Sequence, residues 1–493
     1  MTGPRGERPA RVLHVASEVA PWAATGGLAD VVAALPPAID AALPGAGATV
    51  VPLYREARAR LAAAGVALVD GPRRTVALGA HRIPVVLRRA ALERGPWFVD
   101  CPSLYDRDGL YGAGGHDHDD NHLRFAVLAR AALDAGPELL GGPIELVHGH
   151  DWQAGLAIAL VRFTGLPAAT IFTVHNLAFQ GAFDRAAVAE LGLPWSAFDP
   201  QHLEAWGRLS FLKAGLAYAD VVTTVSPSYA AEVLTPEGGD GLDGFLRHDV
   251  APIVGVVNGI DDAAWDPARD RALPATFDRG RLQGKARCRA ALAAELGLDA
   301  PPGVALAIVV SRLSWQKGID LCADLVPALA ELPVVLAVLG SGDAALEGRL
   351  RALAAAHPRR LAVRIGFDPA LARRMYGGGD LLVMPSRFEP CGLAQLYAMR
   401  YGTVPVVSSV GGLRDTVIDP GDAALAAGLG TGFRFDHVDA EGLRWALARA
   451  AHLFAAEPAA FAAVRAAGMA RDSSWAPSAR VYAGLYRQAL ARR

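Results

Sequence analysis

The run Ala305-Leu306-Ala307-Ile308-Val309-Val310 passes without a break into Ser311-Arg312-Leu313-Ser314-Trp315-Gln316-Lys317-Gly318, and this junction decides the fold class. A strand that is apolar at every position has both faces buried, the mark of a parallel sheet covered by helices. The polar, glycine-ended loop that follows lies at the carboxyl end of that strand, where open parallel sheets bind their ligands.

The same unit recurs on both sides of this junction. Downstream, strands are expected at Val334–Leu339, Leu361–Ile365, Leu381–Met384 and Val404–Val407, with Ala/Leu-rich helical stretches between them. Upstream, a first series is expected at Val12–Ala16, Thr49–Leu53, Trp97–Cys101, Glu145–His148, Ala169–Val174 and Asp220–Val225. Two series imply an α/β chain of two Rossmann-like domains with parallel sheets, facing an inter-domain cleft. A length of 493 residues, too much for one core, agrees with two. The Val257-Asn258-Gly259-Ile260-Asp261 turn and the Pro-, Asp- and Gly-rich segment after it put the crossover near 255. The expected division is therefore 1–255, 256–472, and a final helix within 473–493 that packs back on the first domain.

Composition narrows the partners. The 48 basic and 50 acidic residues give a net charge of −2 and are dispersed, which disfavours nucleic acid or an anionic membrane. Four well-separated cysteines, without a C-x-x-C pair, suggest neither a disulfide framework nor a zinc site. The segment Phe163 to Phe183 lacks charge but holds Gly, Pro, His, Asn and Gln, unlike a membrane span. With a polar start and no signal-peptide core, the chain is expected in the cytoplasm.

Four loops carry chemistry. Ala24-Thr25-Gly26-Gly27-Leu28-Ala29-Asp30-Val31 follows the first strand and opens a helix, so its glycines let backbone amides approach an anion. A plain strand-to-helix turn would look similar. His148-Gly149-His150-Asp151-Trp152-Gln153 and Thr173-Val174-His175-Asn176 end two further strands and suit a sugar, with acceptors and donors for hydroxyls and an indole face for a ring. A metal set of His148, His150 and Asp151 is the weaker alternative, because no acidic or thiolate cluster completes it.

Arg312 offers a planar fork and Lys317 a compact charge, together able to neutralise a departing diphosphate. In Pro385-Ser386-Arg387-Phe388-Glu389-Pro390-Cys391-Gly392-Leu393 the Gly392 and Leu393 amides can bind phosphate, while Glu389 can hold a sugar hydroxyl or face developing positive charge. Cys391 reads as a small packed residue beside them, since no partner base is evident. Leu339-Gly340-Ser341-Gly342-Asp343 and Gly411-Gly412-Leu413-Arg414-Asp415-Thr416 repeat the pattern more faintly.

In this order, TGGLADV, HDWQ, TVHN, VNGID, SRL with KG, FEPCGL and GGLRDTV resemble the bacterial glycogen synthases and plant starch synthases, from about residue 11 to the Trp475 region. The resemblance implies a GT-B fold, an acceptor-binding first domain and a donor-binding second one. It also implies retaining transfer of glucose from ADP-glucose or UDP-glucose to an α-1,4-glucan, with no cofactor and no metal, Arg312 and Lys317 taking the metal's place. By matching position, Asp151, His175, Asn258 and Glu389 hold the glucose, and Arg312, Lys317, Gly392, Leu393 and Thr416 the diphosphate. Thr25, Gly26, Gly27, Trp152, Asn176 and Cys391 complete the expected site. One position departs: the family reads Lys-Thr-Gly-Gly-Leu where this chain has Ala24. The rivals are a retaining transferase of the same fold with another acceptor, or a non-catalytic glucan-binding protein. Many of the former resemble an E-x7-E pattern, whereas Tyr397 stands eight residues after Glu389 here.

Overall fold

The computed structural model describes residues 10–250 and 252–492. They form two compact units, the first running to Asn258 and resuming at Trp475, the second spanning Gly259–Ser474.

The second unit is the simpler. Six strands lie in the order Leu361–Ile365, Val334–Gly340, Ala305–Val310, Leu381–Met384, Val404–Ser408, Phe433–Phe435, all parallel. By chain order this is 3-2-1-4-5-6, the dinucleotide-fold arrangement. Both faces are buried, and the residues of the first strand alternate between them. Ala305, Ala307 and Val309 join one core with the helix Ala440–Ala456, while Leu306 and Ile308 join the other with helices Gln283–Leu296 and Pro369–Gly378. That division is why the strand reads as an unbroken apolar run.

The first unit holds a nine-stranded sheet in the order Val254–Gly255, Val221–Thr224, Ala169–Val174, Leu146–His150, Ala10–Val15, Gly45–Pro52, Trp97–Asp100, His81–Ala90, Leu68–Leu78. Its parallel strands repeat the same order with a short seventh strand added. Two further strands outside the expected series, Leu68–Leu78 and His81–Ala90, pair antiparallel at its edge. This hairpin carries Asp70, Gly71, Pro72, Arg73 and Arg74 and leaves many positions exposed, as an edge strand can, so it shows no continuous apolar signal.

Strand limits otherwise shift by small amounts. The Gly45–Pro52 strand starts earlier than Thr49, and Leu146–His150 runs beyond His148 so that Asp151 directly follows its end. The closing helix Ala476–Ala491 belongs to the first unit. Its Ala479, Tyr482, Ala483 and Tyr486 fill a core against Val31, Leu35, Leu146 and Ile171.

All four cysteines are free, buried thiols. No single described helix is long and apolar enough to cross a membrane. The bent pair Ala440–Ala456 and Pro458–Ala470 passes by length and composition, but its Leu443, Leu447, Phe461 and Val464 are core residues of the second unit.

Candidate active site

A 3-2-1-4-5-6 sheet reverses its winding between strands 1 and 4, and the crevice beyond their carboxyl ends is the natural ligand site. In each unit the chemical motifs follow these two strands and the fifth.

In the first unit, Ala10–Val15 leads to Ser17 and Glu18, both buried. Glu18 ties down the glycine turn: its carboxylate accepts the Thr25 amide at 2.7 Å, the Thr25 hydroxyl at 2.6 Å and the Tyr111 hydroxyl at 2.5 Å. Burial raises its pKa, against the lowering pull of those donors. Glu18 was not among the expected site residues, although a carboxylate seven residues before a TGG turn at a strand end was there to be read. Thr25, Gly26 and Gly27 are exposed at the start of the helix Gly27–Ala42, which has no side-chain N-cap bond. Gly26 has an extended backbone, and a Cβ added to it would meet nothing within 4 Å.

Asp151 follows the fourth strand with φ +57° and ψ 179°, a conformation nearly reserved for glycine. The strain aims its carboxylate at the end of the fifth strand, where Oδ1 accepts the His175 amide at 2.6 Å and the Asn176 amide at 3.3 Å. Burial, with a contribution from the Glu18 charge, pushes its pKa up to about 7 despite those two donors. The imidazoles behind it are neutral. Burial lowers His175 and His14 to about 3 and depresses His148 and His150 well below the usual range. His175 Nε2 meets His150 Nδ1 at 3.1 Å, so one carries the proton that the other accepts. His148 is committed at both nitrogens, to the Tyr486 hydroxyl of the closing helix and to Thr173 Oγ1, each at 2.7 Å.

The nitrogens of His14, His148 and His150 lie within 4.8 Å of one another, a spacing that metal ligands can adopt. Asp151, the carboxylate weighed with His148 and His150 as a metal set, instead faces the two backbone amides.

In the second unit, the loop after Ala305–Val310 is laced to the loop after Leu381–Met384. Lys317 Nζ donates to Glu389 Oε2 at 2.5 Å, and Ser386 Oγ donates to the same oxygen at 3.1 Å. Arg387 makes a two-point pair with Asp320 and donates to Trp315 O. Gly318, at φ +64°, lets the loops touch, since a Cβ there would fall 2.0 Å from Pro385 O. Arg312 stays exposed, with a bond from Nη2 to Gln316 Oε1 at 3.2 Å. Lys317 is thus held by a carboxylate, whereas Arg312 is open to solvent and able to meet an anion.

Gly392 and Leu393 lie half-buried ahead of the helix Ala394–Arg400, Gly392 at φ +75°. Cys391 is buried against Gly412, where an added Cβ would fall 2.4 Å from Cys391 Cα.

The structure brings Asp151, His175 and Asn176 together, gathers Lys317 and Glu389, and places Arg312 in the loop that carries Lys317. Two expectations change. Trp152, expected to offer a face to a sugar ring, is only 9 % exposed and packs against Phe125, Phe183 and Tyr111. Thr416, expected on the diphosphate, is fully buried: its hydroxyl donates to Gly412 O at 2.6 Å and accepts Gln395 Nε2 at 3.1 Å. It shapes the Gly411–Thr416 turn from within. Asn258 is buried at the end of the first unit's main span.

Two dinucleotide-type sheets with sugar-suited and phosphate-suited loops at their switch points define a glycosyltransferase of the two-domain Rossmann class. Residues 11–248 match the family described as starch synthase catalytic domain, and residues 305–452 match glycosyl transferases group 1. The glycogen synthase of Anaeromyxobacter dehalogenans (strain 2CP-1 / ATCC BAA-258) is 50 % identical over 97 % of this chain and 98 % of its own length. That of Rhodopseudomonas palustris (strain BisB18) is 44 % identical over 98 % of each. Among solved structures, the catalytic domain of starch synthase IV from Arabidopsis thaliana, bound to ADP and acarbose, aligns with a TM-score of 0.89 at 30 % identity over 98 % of this chain and all of that one. The chain belongs to the glycogen synthase and starch synthase family, and is a glucosyltransferase of GT-B fold.

Proposed function

We propose that this protein transfers glucose from ADP-glucose to the non-reducing end of an α-1,4-glucan with retained configuration, in the cytoplasm. The first unit takes the glucan. The second takes the nucleotide sugar. Arg312 and Lys317, with the Gly392 and Leu393 amides, meet the diphosphate; Asp151, His175, Asn258 and Glu389 hold the transferred glucose, and Thr25, Gly26, Gly27 and Asn176 line its surroundings. The glucose C1–O bond to the diphosphate breaks while the acceptor's 4-hydroxyl oxygen bonds to C1 on the same face. The hydroxyl proton passes to the leaving phosphate. Catalysis then rests on positioning and on cations aimed at the leaving group, with no protein nucleophile.

The observation that carries this reading is the Lys317–Glu389 pair, joined by Ser386 at the switch point of the second sheet, in a loop that also exposes Arg312. A bound diphosphate would draw on both cations, while Glu389 stays beside the anomeric centre. Neutral His175 and a carboxyl titrating near pH 7 suit uncharged hydroxyls. The choice of adenine nucleotide is supported by the Arabidopsis neighbour, which holds ADP. Four reduced, buried thiols fit a reducing compartment.

Radiolabelled transfer to glycogen from ADP-glucose and UDP-glucose tests the reading, with Ala24→Lys alongside. ADP-glucose is expected to give the higher kcat/KM. In the family pattern the lysine at this position is expected to contact the donor phosphates, so Ala24→Lys should add a charged hydrogen bond worth ~1.5–3 kcal/mol and lower the donor KM. A preference for UDP-glucose overturns the donor, and no transfer from either overturns the reaction.

A further inference from the structure

The short strands Glu204–Ala205 and Arg208–Ser210 pair so that Ala205 faces Arg208, leaving Trp206 and Gly207 as a two-residue turn. Their φ values are +54° and +78°, the signature of a turn normally filled by Asn-Gly. A bulky aromatic in the first position is a backbone outlier. Core packing does not explain it, because Trp206 is 78 % exposed, the most exposed tryptophan among the described residues. Strain that presents a side chain to solvent points to something outside the fold.

The surroundings show what it serves. A Cβ on Gly241 would lie 3.2 Å from the indole Nε1, so Trp206 stands over the Asp240-Gly241 turn, itself at φ +46° and +79°. Gln180 Nε2 donates to Asp240 O at 2.9 Å, joining this turn to the loop that begins at His175 and Asn176. Phe179 on that loop is 51 % exposed. Tyr229, whose hydroxyl accepts the Leu177 amide, lies within electrostatic reach of both Asp240 and Asp151. An exposed indole, a second exposed ring and an exposed carboxylate therefore sit on segments tied to the sugar-suited loops of the first unit.

We propose that Trp206, with Phe179 and Asp240, forms an accessory glucan subsite that holds acceptor rings beyond the reacting end. The apolar C–H face of a glucose ring stacks on the indole, and its rim hydroxyls donate to the Asp240 carboxylate. The inference rests on the assignment of the glucan to the first unit, and deepens it.

Trp206→Asn tests it, because Asn suits the turn and keeps the fold while removing the indole. Retardation by glycogen in native gels and KM for glycogen, for maltose and for the donor are measured in wild type, Trp206→Asn and Trp206→Phe. Trp445→Ala, removing an exposed indole of the second unit, is the control. The expected result is a rise of about 3- to 10-fold in glycogen KM with weakened retardation in Trp206→Asn, the size of one aromatic contact. Trp206→Phe falls between, and donor and maltose KM hold. Unchanged glycogen KM and retardation in Trp206→Asn, or an equal loss in Trp445→Ala, overturns the subsite. So does a change in sedimentation of Trp206→Asn with glycogen binding intact, which would assign the indole to self-association. A wild type that transfers to no glucan fails the functional reading itself, and is told apart because it appears before any substitution.

Discussion

The two units share one strand order and place their motifs beside the same pair of strands, yet their electrostatics are opposite. In the first unit burial opposes charge around Asp151: it strips the imidazoles of theirs and raises the carboxyls of Glu18 and Asp151. In the second unit charge is paired or left open, as Lys317 with Glu389, Arg387 with Asp320, and Arg312 exposed. A strained loop with little charge suits hydroxyls, whereas an open cation suits phosphate. Topology therefore locates a site, and the loops decide what it binds.

The contrast breaks most sharply at Arg312. It makes one side-chain bond, to Gln316, so Arg312→Ala should leave Tm within about 2 °C. Turnover should fall roughly 10²- to 10³-fold if the side chain faces the leaving group, the usual loss of one charge-stabilising donor. Kinetics and calorimetry on the same preparation check this. Turnover within twofold of wild type would remove Arg312 from the mechanism and leave the second unit's open charge without a task.

In the first unit, strain is the more telling handle. Asp151→Gly relieves a backbone cost of ~1–3 kcal/mol but deletes the carboxylate. Tm is expected to hold or rise while turnover falls about 10- to 100-fold, the worth of a charged hydrogen bond. A pH series sharpens the result. The Asp151 carboxyl is raised from 3.8 to about 7, so the folded state keeps a proton that the unfolded chain has released. Stability from this group is present below pH 4 and is lost as pH climbs toward 7. The variant lacks that slope, so its Tm relative to wild type should rise across the interval. A variant that loses stability at every pH would make Asp151 a structural staple.

What the chain discloses in advance follows the range of the forces involved. The strands of the second unit were readable because burial on both faces leaves an unbroken local signal, as in Ala305–Val310. The edge hairpin was not, since its Arg73 faces solvent, its Arg74 reaches Asp134 O and Glu138 on a distant helix, and its pairing is set by a neighbour. Residue types at strand ends single out Asp151, His175, Arg312, Lys317 and Glu389 as candidates. Their environments were hidden. Trp152 is enclosed by Phe125 and Phe183, and Thr416 by Gln395, through contacts made only when distant segments meet. The grip of Glu18 was hidden because one of its partners, Tyr111, lies 93 residues away.

The smallest effect separates a glycine kept for the fold from one kept for a ligand. Gly181 has φ +54° and an added Cβ would fall 2.2 Å from the Trp152 ring, so the packing of the first unit requires it. Gly26 has φ −168° and open space on its Cβ side, so nothing in the folded chain requires it. In Gly26→Ala, restricting the unfolded chain stabilises by ~0.4–1 kcal/mol, and the poorer N-cap costs a similar amount. The two should nearly cancel, leaving Tm close to wild type. A methyl group in the path of a ligand approaching the amides at that helix start should still raise donor or glucan KM several-fold. If steady-state kinetics find both constants unchanged, the turn that Glu18 holds so firmly lies outside the site, and the neutral half of the comparison shrinks to Asp151, His175 and their neighbours.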